Sequence, residues 1–126
     1  MLLNIQTRRT WTPDILDNKK QPEGERIEIE YQKPPAYARN NWERRIARRT
    51  VEGKIEAFVD TDVREIVRSS DVKIRNLTVG VDGGDPVAVT TGEQLVDMRS
   101  DYCWLLATQL ANEIIKPEIS KEVVKN

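Results

Sequence analysis

The stretch 102–115, "YCWLLATQLANEII", constrains this chain more than any other. It is the most apolar segment of the sequence, and Leu106, Leu110 and Ile114 recur every four residues along it. Cys103 and Ala107 flank that row, and Trp104 falls to one side. Residues four apart share one face of a helix, so the spacing predicts a helix with a broad apolar side. Ser100 or Asp101 can cap its start, and Pro117 ends it. A chain of 126 residues has room for about one core, so the rest must pack around this helix. Leu106, Leu110 and Ile114 are therefore expected in the core. The segment is also more apolar than one core face requires. Tyr102 and Trp104 are thus candidates for contact with another subunit or a client segment, since aromatic residues concentrate at interface centres.

The preceding segments supply partners for that helix. Residues 1–33 read as extended: "MLLNIQ" opens apolar, and "TRRTWTPDILDNKKQPEG" carries two prolines and an Asp-Asn turn signal. In "GERIEIEYQ", Ile27, Ile29 and Tyr31 alternate with Glu28, Glu30 and Gln32, the pattern of a strand with one wet face. A hairpin is expected, with strands near 2–10 and 26–32. Beyond Pro34-Pro35 a helix is expected over 36–50, with Ala38, Trp42 and Ile46 on one face. "VEGKIEAFV" (51–59) reads as a third strand. Asp60 and Thr61 can cap a further helix to about Asn76, although Val72 breaks its spacing. Asp82-Gly83-Gly84-Asp85 marks a hairpin turn. Thr90 or Thr91 can cap a short helix through "EQLVDM", and Ser120 a final turn bearing Val123 and Val124.

No repeat or linker interrupts the chain. The expected organisation is one α+β domain, 1–126, strand-rich over 1–33 and mainly helical over 34–126. It has an N-terminal hairpin or small sheet and three to four helices, with the apolar C-terminal helix central to the core.

Charge and composition narrow the function classes. The chain has 20 Lys+Arg against 21 Asp+Glu, so nothing draws it globally to nucleic acid or anionic membranes. A single cysteine, Cys103, excludes an internal disulfide and a zinc site built on cysteine pairs. The absence of histidine removes the commonest general base and the commonest transition-metal ligand. A non-enzymatic protein with no cofactor or metal is expected. No apolar run reaches the roughly 18 residues that suggest a membrane span, and "MLLNIQTRRTW" lacks the apolar core of a secretory signal. Cytoplasmic residence is the expectation.

Three local patterns invite chemistry. "VGVDGGDPV" lacks phosphate-loop spacing and carries aspartates, so it reads as a turn. The pairs Asp60/Asp62 and Asp82/Asp85 lack the further oxygen ligands of a calcium loop, and capping and turn formation account for them. Arg39, Arg44, Arg45, Arg48 and Arg49, beside Trp42, form a candidate basic patch for phosphates or an acidic protein partner. With acidic stretches on either side of it, a solvated helix face with Trp42 in the core is the favoured account.

Taken in order, the segments resemble the tail assembly chaperones of long-tailed bacteriophages and prophages. The resemblance runs from about residue 25 to the end. It is carried by "ERIEIEYQKPPAYARNNW", "DVREIVRSSDVKIRNLTVGVDGGDPV", "TTGEQLVDM" and "LATQLANEIIKPEISKEVVKN". It implies a non-enzymatic protein of the bacterial host cytoplasm that holds the tape measure protein and recruits the major tail protein. It also implies self-association into a homo-oligomer. The surface such a role would use is expected to include Tyr102, Trp104, Val123 and Val124. The Arg-rich helix at 39–49 departs from the family pattern. A structural tail or head–tail joining component is the alternative, followed by a small nucleic-acid-binding protein acting through its arginines.

Overall fold

The computed structural model describes residues 1–2, 7–48, 60–80 and 82–116. Their strands are β1 (Arg8–Trp11), β2 (Glu28–Gln32), β3 (Lys73–Arg75), β4 (Thr78–Val79) and β5 (Val87–Ala88). Their helices are α1 (Ala36–Arg48), α2 (Asp60–Arg68), α3 (Gly92–Asp97) and α4 (Asp101–Ile115). Two single 3₁₀ turns, Asn18–Lys20 and Glu23–Glu25, lie between β1 and β2. The architecture is α+β, with an antiparallel sheet ordered β1-β2-β3 and a separate β4-β5 hairpin.

Alternation in β2 sets the sheet. Ile29 and Tyr31 are buried, while Glu28, Glu30 and Gln32 face outward. On the inner face Ile29 is opposite both Trp11 of β1 and Ile74 of β3. On the outer face Glu28 is paired with Arg75 and Glu30 with Lys73, so opposite charges meet directly across the strands. Arg8 adds ion pairs of 3.1 Å to both Glu30 and Asp71. A register slip of one residue would bury these charges, so the pattern fixes the pairing.

The third strand of this sheet comes from a segment whose spacing predicts helix. The helix expected from Asp60 to Asn76 ends at Arg68. Ser69 and Ser70 donate their hydroxyls back to the carbonyls of Glu65 and Ile66, and Asp71 turns the chain with φ 44°. From there Val72 and Ile74 are buried while Lys73 and Arg75 are exposed, a period of two. The residue that broke the helical spacing, Val72, belongs to the strand approach. The strand expected near 2–10 is observed at Arg8–Trp11, and the one expected at 51–59 falls outside the described residues.

α4 is the centre of the core. Cys103, Leu106, Ala107, Leu110, Ala111, Ile114 and Ile115 are all buried, and α4 packs against α1, α2 and α3. Ser100 caps it, accepting from the Cys103 amide at 3.4 Å. At its other end, Lys33 Nζ and Arg39 Nη1 donate to the Lys116 carbonyl at 2.9 and 3.0 Å. Cations at a helix C-terminus satisfy unpaired carbonyls and complement the dipole.

α3 begins with a reciprocal cap. Thr91 Oγ1 accepts from the Gln94 amide, and the Gln94 side chain accepts from the Thr90 and Thr91 amides. Thr90 also accepts from the Ile74 amide, which ties the cap to β3. Gly92 then meets α2 so closely that a Cβ would lie 2.7 Å from Val67 Cγ1 and 3.0 Å from Val72 Cβ. Thus "TTGEQL" is a packing unit as well as a helix start.

Candidate interaction surface

The loop between β1 and β2 is built around Asn18. Its buried side chain donates to the carbonyls of Pro13 and Ile27 and accepts from the Ile27 amide. These bonds hold the loop in a fixed shape that places Leu16 and Asp17 in left-handed conformation, at φ 47° and 59°. For a residue with a Cβ, such a conformation costs about 1–2 kcal/mol. Leu16 is also 71% exposed. A strained backbone thus presents a large apolar side chain to solvent.

Leu16 stands on the rim of a groove of about 510 Å³ between this loop, the β4 strand and the start of α4. Ile15, Ile27, Leu77, Val79 and Leu106 give it apolar walls, and Glu25 is the one charged residue in its described lining. Tyr102, 62% exposed, stands on another part of the rim, and Leu105 is exposed one helical turn beyond it. Contiguous apolar surface of this kind marks interaction sites in water-facing proteins. The volume lies within the range of about 300–1,000 Å³ typical of binding clefts.

Of the residues singled out by sequence, Tyr102 lies at this groove. Trp104 does not. Two positions on along α4, it is partly buried against the core, near Asp60, Arg64 and Met98. Val123 and Val124 fall outside the described residues. Leu16, Leu77 and Val79 carry the rest of the groove, whereas the sequence alone places Leu16 in the extended stretch 1–33, Leu77 at the end of a helical row and Val79 in the hairpin. The signal was present in the pair Ile15-Leu16, two apolar residues directly before a turn.

The described arginines have different settings. Arg39 is buried and donates to the carbonyls of Pro34 and Lys116. Arg45 is paired with Glu65 at 2.8 Å and with Asp62 at 3.8 Å. Arg44 is exposed, the Arg48 side chain is not described, and Arg49 lies outside the described residues. Trp42 is buried in the core, as the helical spacing predicts.

The carboxylates also have structural settings. Asp62 is buried in the first turn of α2 beside Arg45, rather than capping the helix from outside. Gly83, at φ 73°, provides the left-handed residue of the turn between β4 and β5 that holds Asp82 and Asp85. No cluster of three or more metal-ligating side chains occurs among the described residues. Cys103 is buried in the groove floor. The titration of Tyr31 is displaced. Burial and the nearby Glu113 carboxylate raise its phenol above 10.0, against the opposing pull of Arg9 and Arg39.

No described helix is long and apolar enough to cross a membrane. The arrangement offers a preformed apolar cleft with a strained leucine and a tyrosine at its rim, suited to hold an apolar side of another chain. Comparison of the chain with protein-family models, with curated proteins and with solved structures finds no match.

Proposed function

We propose that this chain is a non-enzymatic assembly chaperone of phage tail morphogenesis, acting in the cytoplasm of a bacterial host. In this reading it holds apolar helical stretches of the tape measure protein and recruits major tail subunits around them. The likeness of its ordered segments to tail assembly chaperones suggests the process. The groove rimmed by Leu16 and Tyr102 is the observation that carries the binding role. An amphipathic helix can lay its apolar side into such a cleft, with anchors three or four residues apart. The nucleic-acid alternative is weakened by the engagement of Arg39 and Arg45 within the fold.

Co-expression with the tape measure protein of the same genome, followed by size-exclusion chromatography, tests the binding. A stable complex is expected, and Leu16→Ser with Tyr102→Ser should weaken it about tenfold or more, as for truncated interface anchors. Failure of the wild-type chain to bind would refute the reading. Mass spectrometry of purified particles then separates chaperone from component. The chaperone should be missing from them, and a stoichiometric presence would make the chain a structural tail or head–tail joining protein.

A further inference from the structure

We infer that the groove selects for positive charge: its occupant is an amphipathic helix whose apolar side spans about two turns and bears Lys or Arg at both ends. This rests on the binding role proposed for the groove and adds the chemistry of what it binds.

Acidic side chains lie at both ends of the apolar wall. Leu77 and Val79 stand on the backbone running from Leu77 to Gly80, roughly 10 Å at strand rise. At its start, Asn76 Nδ2 donates to the Gly24 and Arg26 carbonyls at 3.1 and 2.7 Å, which holds Glu25 beside Leu77. At its finish, past Val79, Gly80, Ser100 and Tyr102, the groove opens into a second concavity. That concavity adds Asp82, Asp97, Arg99 and Asp101.

The balance of these charges is acidic. Asp97 is answered by Arg64 at 3.2 Å and by Arg68 at 3.6 Å. Arg26 adjoins Glu25 outside the lining and donates its Nε to the Gln21 carbonyl. Glu25, Asp82 and Asp101 are exposed and form no ion pair with a described residue. Arg99 is the one cation in either described lining. An acidic helix laid along this wall would bring like charges together at both ends, which disfavours it as a partner. A cation one turn beyond the apolar anchors meets Glu25 at one end, and Asp82 and Asp101 at the other. Its alkyl stem covers the apolar rim while its charge stays in water.

The test measures fluorescence anisotropy of labelled synthetic peptides against the full chain. Three peptides share a two-turn leucine face and differ in their ends, which carry Lys, Gln or Glu. In dilute buffer the Lys peptide should bind about tenfold more tightly than the Glu peptide, with the Gln peptide between them. That preference should shrink about threefold or more in roughly 0.5 M salt, where exposed charges are screened. Glu25→Lys with Asp82→Lys, both at exposed positions, should reverse the order of the Lys and Glu peptides. Equal binding of the three peptides, or an order unchanged by that reversal, would overturn the charge selection. If Leu16→Ser with Tyr102→Ser still abolished such binding, the groove's binding role would stand without it. Lys-peptide binding that survives Leu16→Ser with Tyr102→Ser would overturn the seating in the groove. Binding of none of the peptides would overturn the selection and the binding role together.

Discussion

Gly92 sits where α3, α2 and the approach to β3 converge, and no side chain fits there. A methyl group at that position would collide with Val67 and Val72, both held in the core. Gly92→Ala should therefore destabilise by about 1–3 kcal/mol, the usual penalty for overpacking, despite the better helix propensity of alanine. A lower urea midpoint with an unchanged slope would check this. Tyr31 makes a different prediction. Burial and Glu113 hold its proton more tightly in the folded chain than in the unfolded one, where the phenol ionises near 10.0. Its contribution is complete below pH 10. It declines above that, at up to about 1.4 kcal/mol per pH unit, because the unfolded state releases a proton that the folded state keeps. Tyr31→Phe should flatten that alkaline loss, as read from urea midpoints measured above pH 10. Neither effect is visible in the sequence, where Gly92 is one letter of a helix start and Tyr31 one apolar position of a strand.

Periodicity identified most of the elements and failed where two periods overlap. α1, α3 and α4, and the strand character of β2, follow from spacing and caps that operate over a few residues. The segment 60–76 carries a helix and a strand in succession, and Ile66, Val67, Ser70 and Ile74 happen to satisfy helical spacing across the junction. What divides it is hydroxyl competition from Ser69 and Ser70 and a left-handed Asp71, which propensity alone does not weigh. The groove was half legible. Tyr102 stands out as an aromatic beside a core row, but Leu16 is made prominent by Asn18 bonding to Pro13 and Ile27, which only the folded loop brings together. At the far end of α4, Arg39 looks in the sequence like one of a cationic set, but in the fold it acts on the helix terminus. Arg39→Ala should cost about 1–3 kcal/mol, since the Pro34 carbonyl loses this donor and the Lys116 carbonyl one of two. Faster amide exchange over the last turn of α4, with a lower melting temperature, would check it. Arg39→Lys should restore only part, because one ammonium cannot reproduce the forked guanidinium.

For the molecule as a whole, the residues that hold the fold differ from those proposed to bind a partner. The core cluster runs through α4 and the inner face of the sheet, whereas Leu16, Tyr102 and Leu105 stay in solvent. Leu16→Ser and Tyr102→Ser should thus change unfolding free energy by no more than about 0.5 kcal/mol each, as exposed substitutions do, while impairing client capture. Thermal melts run beside the binding assay would detect a violation. The anchoring of Lys116 reaches further. Its carbonyl is gripped by Lys33, just after β2, and by Arg39 of α1, and the helix behind it touches each of the other three. A tug applied beyond Lys116 would load α4 along its axis, in shear against its neighbours. Tension on that end would be shared across the molecule rather than peeling one element from it.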